Sequence, residues 1–209
     1  MATLLKIDAS PRGSRSISRA LGTTYAEQWR LRHPLAPVVE RDLAGADIPF
    51  VGLPWITAAY AAPGAHQGLA PSALAMGDEF ISELKNAEEW VITSPMYNFT
   101  VPACLKAYID QIVRVGQTFE TRADGSFIGL LTGKKVTVII ASAGDYSPGS
   151  SLQAYDHMTG YMKSILSVIG VDDVMFVQAG STWRVDNGLV DLELYLADVC
   201  GQHSLLAPQ

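Results

Sequence analysis

Short apolar runs alternate with longer amphipathic segments along most of the chain. Five runs of β-branched and other apolar residues predict strands at residues 3–7, 37–41, 90–93, 136–141 and 174–178. Strands separated by helical segments are typical of a parallel sheet joined by crossover helices. The pattern therefore predicts an α/β protein whose five-stranded parallel sheet carries helices on both faces.

Five segments between or after these runs have helical periodicity. Residues 71–86 and 189–200 form two of them. The other three are marked by Ile17, Leu21, Tyr25 and Gln28; by Val101, Leu105, Tyr108, Ile109, Ile112 and Val113; and by Leu152, Tyr155, Met158, Met162, Ile165, Leu166 and Ile169.

Two segments interrupt this alternation. Residues 44–70 form a long apolar connection containing several glycines and prolines, and loops of that length are usually lids, binding loops or interface segments. A loop lying over its own sheet is the alternative. Residues 116–119 and 126–129 flank Asp124 and Gly125, which predicts a small hairpin before the fourth strand.

Composition and charge narrow the classes of function that this chain can have. The 209 residues suit one domain, and 48% hydrophobic with 17% charged residues is a globular composition. The net charge of -6 and the lack of a basic stripe argue against nucleic acid as a partner. Two cysteines without CxxC spacing, and an N-terminus without a signal-like or membrane-spanning run, predict a cytoplasmic protein that does not bind membranes.

The loop after the first strand, residues 8–18, is rich in serine. Its hydroxyls and the N-H groups of a following helix could bind a phosphate, with positive charge added by Arg12, Arg15 or Arg19. The simpler interpretation is that Ser16 only caps the helix and that the arginines are solvated.

The sequence lacks the motifs of several common nucleotide, metal and hydrolase sites. The dinucleotide fingerprint GxGxxG is absent from the first loop, and the glycines and lysines near residue 133 do not have P-loop spacing. No HExxH sequence, metal-ligand spacing or GxSxG elbow occurs, so we expect neither a metal nor a hydrolase triad. A mononucleotide with one phosphate, such as FMN, suits the first loop better than NAD or ATP.

Two further loops fall at the same predicted sheet edge. Met96, Tyr97, Asn98 and Phe99 follow the third strand and offer aromatic faces and an amide to a flat ligand, unless the rings belong to the core and Asn98 only forms a turn. Residues 141–149 follow the fourth strand, where small side chains let a ligand approach the backbone. An ordinary turn with Ser150 or Ser151 as helix cap is the alternative.

At these positions the chain resembles the bacterial FMN-dependent NADH-azoreductases, flavodoxin-like homodimeric quinone and azo-dye reductases, some of which were once called acyl carrier protein phosphodiesterases. The similarity is most specific at residues 95–99 and extends through residues 105–110, 116–119 and 131–135. Residues 27–30 and 41–43 also look like the family.

The resemblance implies an FMN site. It would place the phosphate at Ser10, Ser16, Ile17 and Ser18, and the flavin along Pro95, Met96, Tyr97, Asn98 and Phe99. Ser142, Ala143 and Gly144 would complete it, although here they replace part of the family's Ser-Arg-Gly-Gly loop, and Asp145 follows. The missing arginine implies less positive potential beside the flavin.

The implied reaction is a ping-pong cycle in which NADH or NADPH reduces the flavin and an azo compound or quinone then takes two electrons. No side chain is predicted to act as a catalytic acid. Phe119, Trp55, Tyr60 and Tyr155 are candidate pocket walls in a homodimer, or simply packed side chains. A flavodoxin-like electron carrier without small-molecule turnover, and an inactive interaction module, are the rival functions.

Overall fold

The computed structural model describes residues 2–61 and 72–203, and its centre is a parallel sheet. The strands lie in the order β2-β1-β3-β6-β7, which confirms the predicted five-stranded α/β sheet. Their bounds are β1 (Leu4–Asp8), β2 (Val38–Asp42), β3 (Glu89–Pro95), β6 (Lys135–Ala141) and β7 (Asp173–Ala179). Because all five run parallel, the loops at their carboxyl ends share one edge of the sheet.

Side chains alternate between two cores, one on each face of the sheet. Leu5 and Ile7 of β1 face the larger core, whereas Leu4 faces the smaller one. The larger core contains apolar residues of α3 (Ser72–Asn86), α4 (Ala103–Ile112) and α5 (His157–Val168), and the smaller core those of α1 (Ile17–Arg32) and α7 (Leu192–Gln202). Helices therefore cover both faces, as predicted.

Two helical predictions needed correction. In α1 the fully buried residue of the fourth turn is Trp29, and Gln28 is only partly buried. The periodic segment from Leu152 begins as a short 3-10 helix, and α5 starts only at His157. Asp156 causes that break, because its carboxylate accepts hydrogen bonds from the first-turn N-H groups of α5 and so caps it; neither Ser150 nor Ser151 does.

The long connection after β2 contains a helix that the sequence pattern did not predict, α2 (Leu53–Ala59). Trp55 of α2 donates a hydrogen bond from its indole nitrogen to the Gln111 side chain of α4 (2.7 Å), and Gln111 in turn donates to the Pro49 carbonyl (2.8 Å). In the described part of this connection α2 thus packs on α3 and α4, and Ile48 packs against the larger core, which includes sheet residues. Residues 62–70 lie outside the described chain.

The predicted hairpin is present, but its first strand starts later than expected. β4 (Phe119–Thr121) pairs antiparallel with β5 (Phe127–Gly129). Gly129 meets Gly170 backbone to backbone: a β-carbon on Gly129 would lie 2.0 Å from the Gly170 nitrogen. Within residues 2–61 and 72–203, no helix has the length and hydropathy needed to cross a membrane.

Candidate functional site

Loops from four strands meet at the carboxyl edge of the sheet and enclose a cavity of about 190 Å³. The loops follow β1, β3, β6 and β7. The lining residues are Ser10, Arg12, Ser16, Ile17, Ser18, Pro95, Met96, Tyr97, Ala141, Ala143, Thr182 and Asp186. Eight of the twelve predicted site residues are among them.

The loop after β1 presents buried hydroxyl groups to this cavity. Ser10, Ser16 and Ser18 are each at most 5% exposed, and the Ser16 and Ser18 hydroxyls lie 3.2 Å apart. Ser16 also caps α1 by accepting a hydrogen bond from the Arg19 N-H (3.3 Å), as the simpler interpretation expected. The N-H groups of Ile17 and Ser18 have no carbonyl one turn earlier in the helix.

We call Ser10, Ser16, Ile17 and Ser18 the hydroxyl cradle. Hydroxyl donors, free first-turn N-H groups and the positive end of a 16-residue helix are the donor set that a phosphate group requires. These residues therefore fit the phosphate of a mononucleotide.

Charged side chains form hydrogen bonds and ion pairs that hold the loop of the hydroxyl cradle in place. Asp8 is buried, pairs with Lys6 (2.5 Å) and accepts a hydrogen bond from the Thr93 hydroxyl (2.6 Å). Arg19 donates from Nε to the Ser10 carbonyl (2.8 Å) and pairs with Asp42 (2.5 Å). The Arg19 guanidinium lowers the pKa of Asp42. Arg19 is thus a structural element of the loop and not a solvated side chain.

The turn after β3 has an unusual backbone. Tyr97 and Thr100 exchange two backbone hydrogen bonds (3.0 and 3.1 Å), and both residues between them have positive φ, 47° at Asn98 and 70° at Phe99. Asn tolerates this left-handed conformation, whereas a bulky residue such as Phe99 is strained in it. We call residues 97–100 the aromatic turn.

The aromatic turn is open to solvent. Tyr97 is 41% and Phe99 43% exposed, so the expectation of core aromatics is wrong for both. The Phe99 ring lies 5.3 Å from the Tyr155 ring and 6.2 Å from the Tyr146 ring, measured between centroids. The Phe99 carbonyl accepts a hydrogen bond from the His157 N-H (3.1 Å), which fixes the turn to the start of α5.

The loop after β6 contributes less than predicted to the cavity. Ala143 lines it, whereas the buried Ser142 hydroxyl donates to the Gly144 carbonyl within the same loop (2.9 Å). A β-carbon at Gly144 would lie 2.9 Å from the Leu152 side chain, so a larger residue there would displace Leu152. The carboxylate of Asp145 accepts two hydrogen bonds from Ser147, which lower its pKa.

Sequence reasoning missed the contribution of the loop after β7. There Ser181 has a positive φ of 59° and leads into a four-residue helix, α6 (Trp183–Asp186). Thr182 lines the cavity, and Asp186 forms a two-pronged ion pair with Arg12 (2.5 and 3.1 Å). The hydrogen bond from Arg12 lowers the pKa of Asp186. No local signal links two residues 174 positions apart.

A larger cavity of about 420 Å³ lies on the other side of α6. Its charged lining residues are Arg184, Asp145 and Asp198. Two carboxylates against one guanidinium make this cavity a poor phosphate site. The smaller, hydroxyl-lined cavity is therefore the candidate site.

Among the described residues, no three His, Cys, Asp or Glu side chains come together as a metal site would need. Cys104 lies near the cradle, where its thiol donates to the Ala9 carbonyl (3.3 Å), and burial raises its pKa. A neutral thiol is a weak nucleophile, so Cys104 is a packing residue at neutral pH.

Of the four predicted pocket walls, Tyr155 contacts the aromatic turn. Trp55 is 8% exposed and bonded to Gln111, and Phe119 packs edge-to-face on Phe127. Neither these two nor Tyr60 lines the candidate cavity of the single chain.

The chain matches known proteins over nearly its whole length. Residues 2–193 match the family model described as "Flavodoxin-like fold". The FMN-dependent NADH:quinone oxidoreductase 2 of Jannaschia sp. (strain CCS1) is 45% identical over 197 residues, which are 94% of this chain and 95% of the relative. The FMN-dependent NADH:quinone oxidoreductase 8 of Burkholderia lata is 41% identical over 204 residues, 95% of each chain.

A solved structure extends this similarity to three dimensions. The FMN-dependent NADH-azoreductase from Bacillus anthracis str. Ames Ancestor, in complex with FMN, aligns with a TM-score of 0.83 at 26% identity. The alignment covers 99% of this chain and 100% of that one. Together with the cavity at the carboxyl edge of the sheet, these matches show that the chain belongs to the flavodoxin-like family of FMN-dependent NADH:quinone oxidoreductases and azoreductases.

Proposed function

We propose that this protein is an FMN-dependent NAD(P)H oxidoreductase that reduces quinones and azo compounds. The observation that carries the proposal is the continuity of a buried, hydroxyl-lined cavity with an exposed aromatic turn at one sheet edge. One ligand with a phosphate at one end and a flat ring system at the other fits both. The relatives named above are oxidoreductases, which favours turnover over a carrier role.

The hydroxyl cradle binds the phosphate. Ser10, Ser16 and Ser18 donate from their hydroxyls, and the first-turn N-H groups of α1, including that of Ile17, add backbone donors. The cavity of about 190 Å³ is smaller than the roughly 300–1,000 Å³ of a pocket that encloses a drug-sized ligand. The ring system therefore lies outside it, where a second molecule can stack on it.

The remaining predicted residues position the ring. Pro95 and Met96 line the cavity where it opens toward the aromatic turn, and Asn98 offers an amide at the ring edge. Phe99 supplies an aromatic surface beside Tyr155. Ala143 is small enough to let the ring approach the loop after β6, whose shape depends on Ser142 and Gly144.

FMN, once bound, would supply hydride and two-electron transfer between NADH or NADPH and the acceptor. The protein would hold its phosphate and orient its ring. We assign no catalytic acid, because water can provide the proton.

We propose that the protein acts as a homodimer. The side chains of Phe50, Leu53 and Tyr60, in and beside α2, are 79%, 75% and 73% exposed, and they form an apolar surface of the kind that a second copy covers. Leu53→Glu should yield monomers in size-exclusion chromatography with light scattering. Leu31→Glu on α1, where Leu31 is 72% exposed, is the matched control and should stay dimeric.

We also propose that the chain folds as a single domain in the cytoplasm. Both of its cysteines, Cys104 and Cys200, are free thiols, as expected in a reducing compartment. Fractionation of the producing cells tests the location, and recovery in a periplasmic or secreted fraction would contradict it.

The central experiment uses visible absorbance. The purified protein, incubated with FMN and desalted, should retain a yellow chromophore. Addition of NADH or NADPH without oxygen should bleach it, and a quinone should restore the colour. A colourless protein would overturn the proposal, and bound flavin that NADH and NADPH leave oxidised would indicate a carrier.

A further inference from the structure

The ion pair between Arg12 and Asp186 lies at the cavity of the hydroxyl cradle. Arg12 comes from the loop after β1 and Asp186 from the last position of α6, and both line the cavity. Their two hydrogen bonds are 2.5 and 3.1 Å long. The pair therefore joins two loops that would surround the phosphate.

This ion pair is suited to an exchange in which Arg12 leaves Asp186 and binds another anion. The side chains are 39% and 41% exposed, and ion pairs at that level of exposure are held weakly because solvent screens them. Arg12 holds the pKa of Asp186 below its ordinary value, so the carboxylate is charged at neutral pH. A phosphate monoester carries about two negative charges and accepts hydrogen bonds from a guanidinium in the same two-pronged way.

Of Arg12, Arg15 and Arg19, Arg12 is the arginine best placed to bind the phosphate. Arg19 is occupied by the Ser10 carbonyl, Asp8 and Asp42. Arg15 does not line the cavity, although its charge also acts on Asp186. The loop that carries Asp186 is anchored, because the Thr182 N-H donates to the Ser142 carbonyl (3.0 Å) and the Ser181 N-H to the Gly144 carbonyl (3.1 Å).

We propose that Arg12 and Asp186 form an anion gate, in which the ligand's phosphate replaces Asp186 as the partner of Arg12. The gate makes the site select a phosphorylated flavin over the same flavin without phosphate. This inference rests on the proposed FMN site and adds two residues to it, one attracting the phosphate and one competing with it.

Titration of flavin fluorescence tests the gate with the full-length protein. We would measure the Kd of FMN and of riboflavin, which lacks the phosphate, for wild type, Arg12→Gln and Asp186→Asn. Arg184→Gln is the matched control, since Arg184 is on the same short helix but lines the other cavity. Melting temperatures of the flavin-free proteins check that each variant folds.

The gate predicts opposite effects of the two substitutions. Arg12→Gln should weaken FMN about tenfold and leave riboflavin within about twofold, as expected for loss of charge-assisted hydrogen bonds. Asp186→Asn should tighten FMN about threefold, because it keeps an oxygen for Arg12 but removes the repelling charge. Arg184→Gln should change neither Kd.

Three results would overturn the gate alone: unchanged FMN binding by Arg12→Gln, equal loss of FMN and riboflavin, or weaker FMN binding by Asp186→Asn. Each of them requires that wild type binds FMN, so the proposed function would stand. If wild type binds neither flavin, both the gate and the proposed function fail.

Discussion

The hydroxyl cradle and the aromatic turn lie side by side at one sheet edge but are built in opposite ways. The cradle is buried, and Arg19 and Asp8 support it through hydrogen bonds and ion pairs. The aromatic turn is exposed and keeps two residues in a left-handed conformation. In the proposed FMN site, the buried region would anchor the ligand and the exposed region would present it to other molecules.

The largest effect should come from disturbing the support of the cradle. A β-carbon on Gly22 of α1 would lie 2.3 Å from the Thr93 methyl group, and Thr93 holds Asp8 below the cradle. Gly22→Ala should therefore cost about 1–3 kcal/mol of unfolding free energy, the usual range for overpacking. Urea denaturation of the flavin-free protein measures it.

Gly160→Ala is the control for this experiment. Gly160 is also helical, but a β-carbon there meets nothing within 4 Å. Alanine at that position should stabilise the protein by about 0.5–1 kcal/mol through helix propensity. Equal effects of the two substitutions would show that α1 is not tightly packed on the sheet beneath the cradle.

The next largest effect is expected for Ser16→Ala, which distinguishes helix capping from ligand binding within the cradle. Ser16→Ala removes the cap of α1 and should cost about 1 kcal/mol of stability while also weakening FMN. Ser14→Ala, at an exposed serine of the same loop, should stay within about 0.5 kcal/mol of wild type. If Ser16→Ala lost stability but kept wild-type FMN affinity, Ser16 would be a cap only.

A smaller effect is expected at the aromatic turn. Asn98→Gly keeps the left-handed backbone, which glycine adopts readily, but removes the amide. FMN should bind about threefold to tenfold more weakly, the range for one neutral hydrogen bond. The melting temperature of the flavin-free protein should not fall; a clear fall would mean that the Asn98 side chain holds the turn itself.

The smallest effect concerns pH. The pKa of Asp186 is lowered by Arg12, so its contribution to stability is complete above the unfolded value of about 3.9 and is lost as the pH falls through the lower folded value. Flavin-free Asp186→Asn should lose slightly less stability than wild type between pH 5 and pH 2. Equal pH dependence of Asp186→Asn and wild type would contradict this contribution of Asp186.

The three central strands were predictable because buried parallel strands read as apolar runs. The edge strands β2 and β7 are only partly buried, and β-branched residues marked them. The centre of every predicted strand was right. The family resemblance was confirmed by the comparisons, while the site residues and the homodimer remain predictions. The sequence pattern did not predict two short helices. α2 has seven residues and α6 has four, too few to show a helical period.

Contacts that depend on the assembled fold were also beyond sequence reasoning. The sequence left Arg12 either beside a phosphate or solvated, and could not predict its ion pair, because its partner Asp186 is near the other end of the chain. Positive φ at Asn98 is a common use of asparagine, but nothing in the residue type predicts it at Phe99. The positive φ of Phe99 arises only in the folded chain, where hydrogen bonds to β6 and to the start of α5 hold the turn.

The meeting of Gly129 and Gly170 has a consequence for how this chain can change. A β-carbon on either glycine would clash with backbone atoms of the other, and Gly170 also has a positive φ of 96°, so we expect neither position to accept another amino acid. A library randomised at both positions and selected for folded protein should therefore recover glycine at each. The attachment of the small hairpin to the turn after α5 thus limits which substitutions this part of the surface can accept.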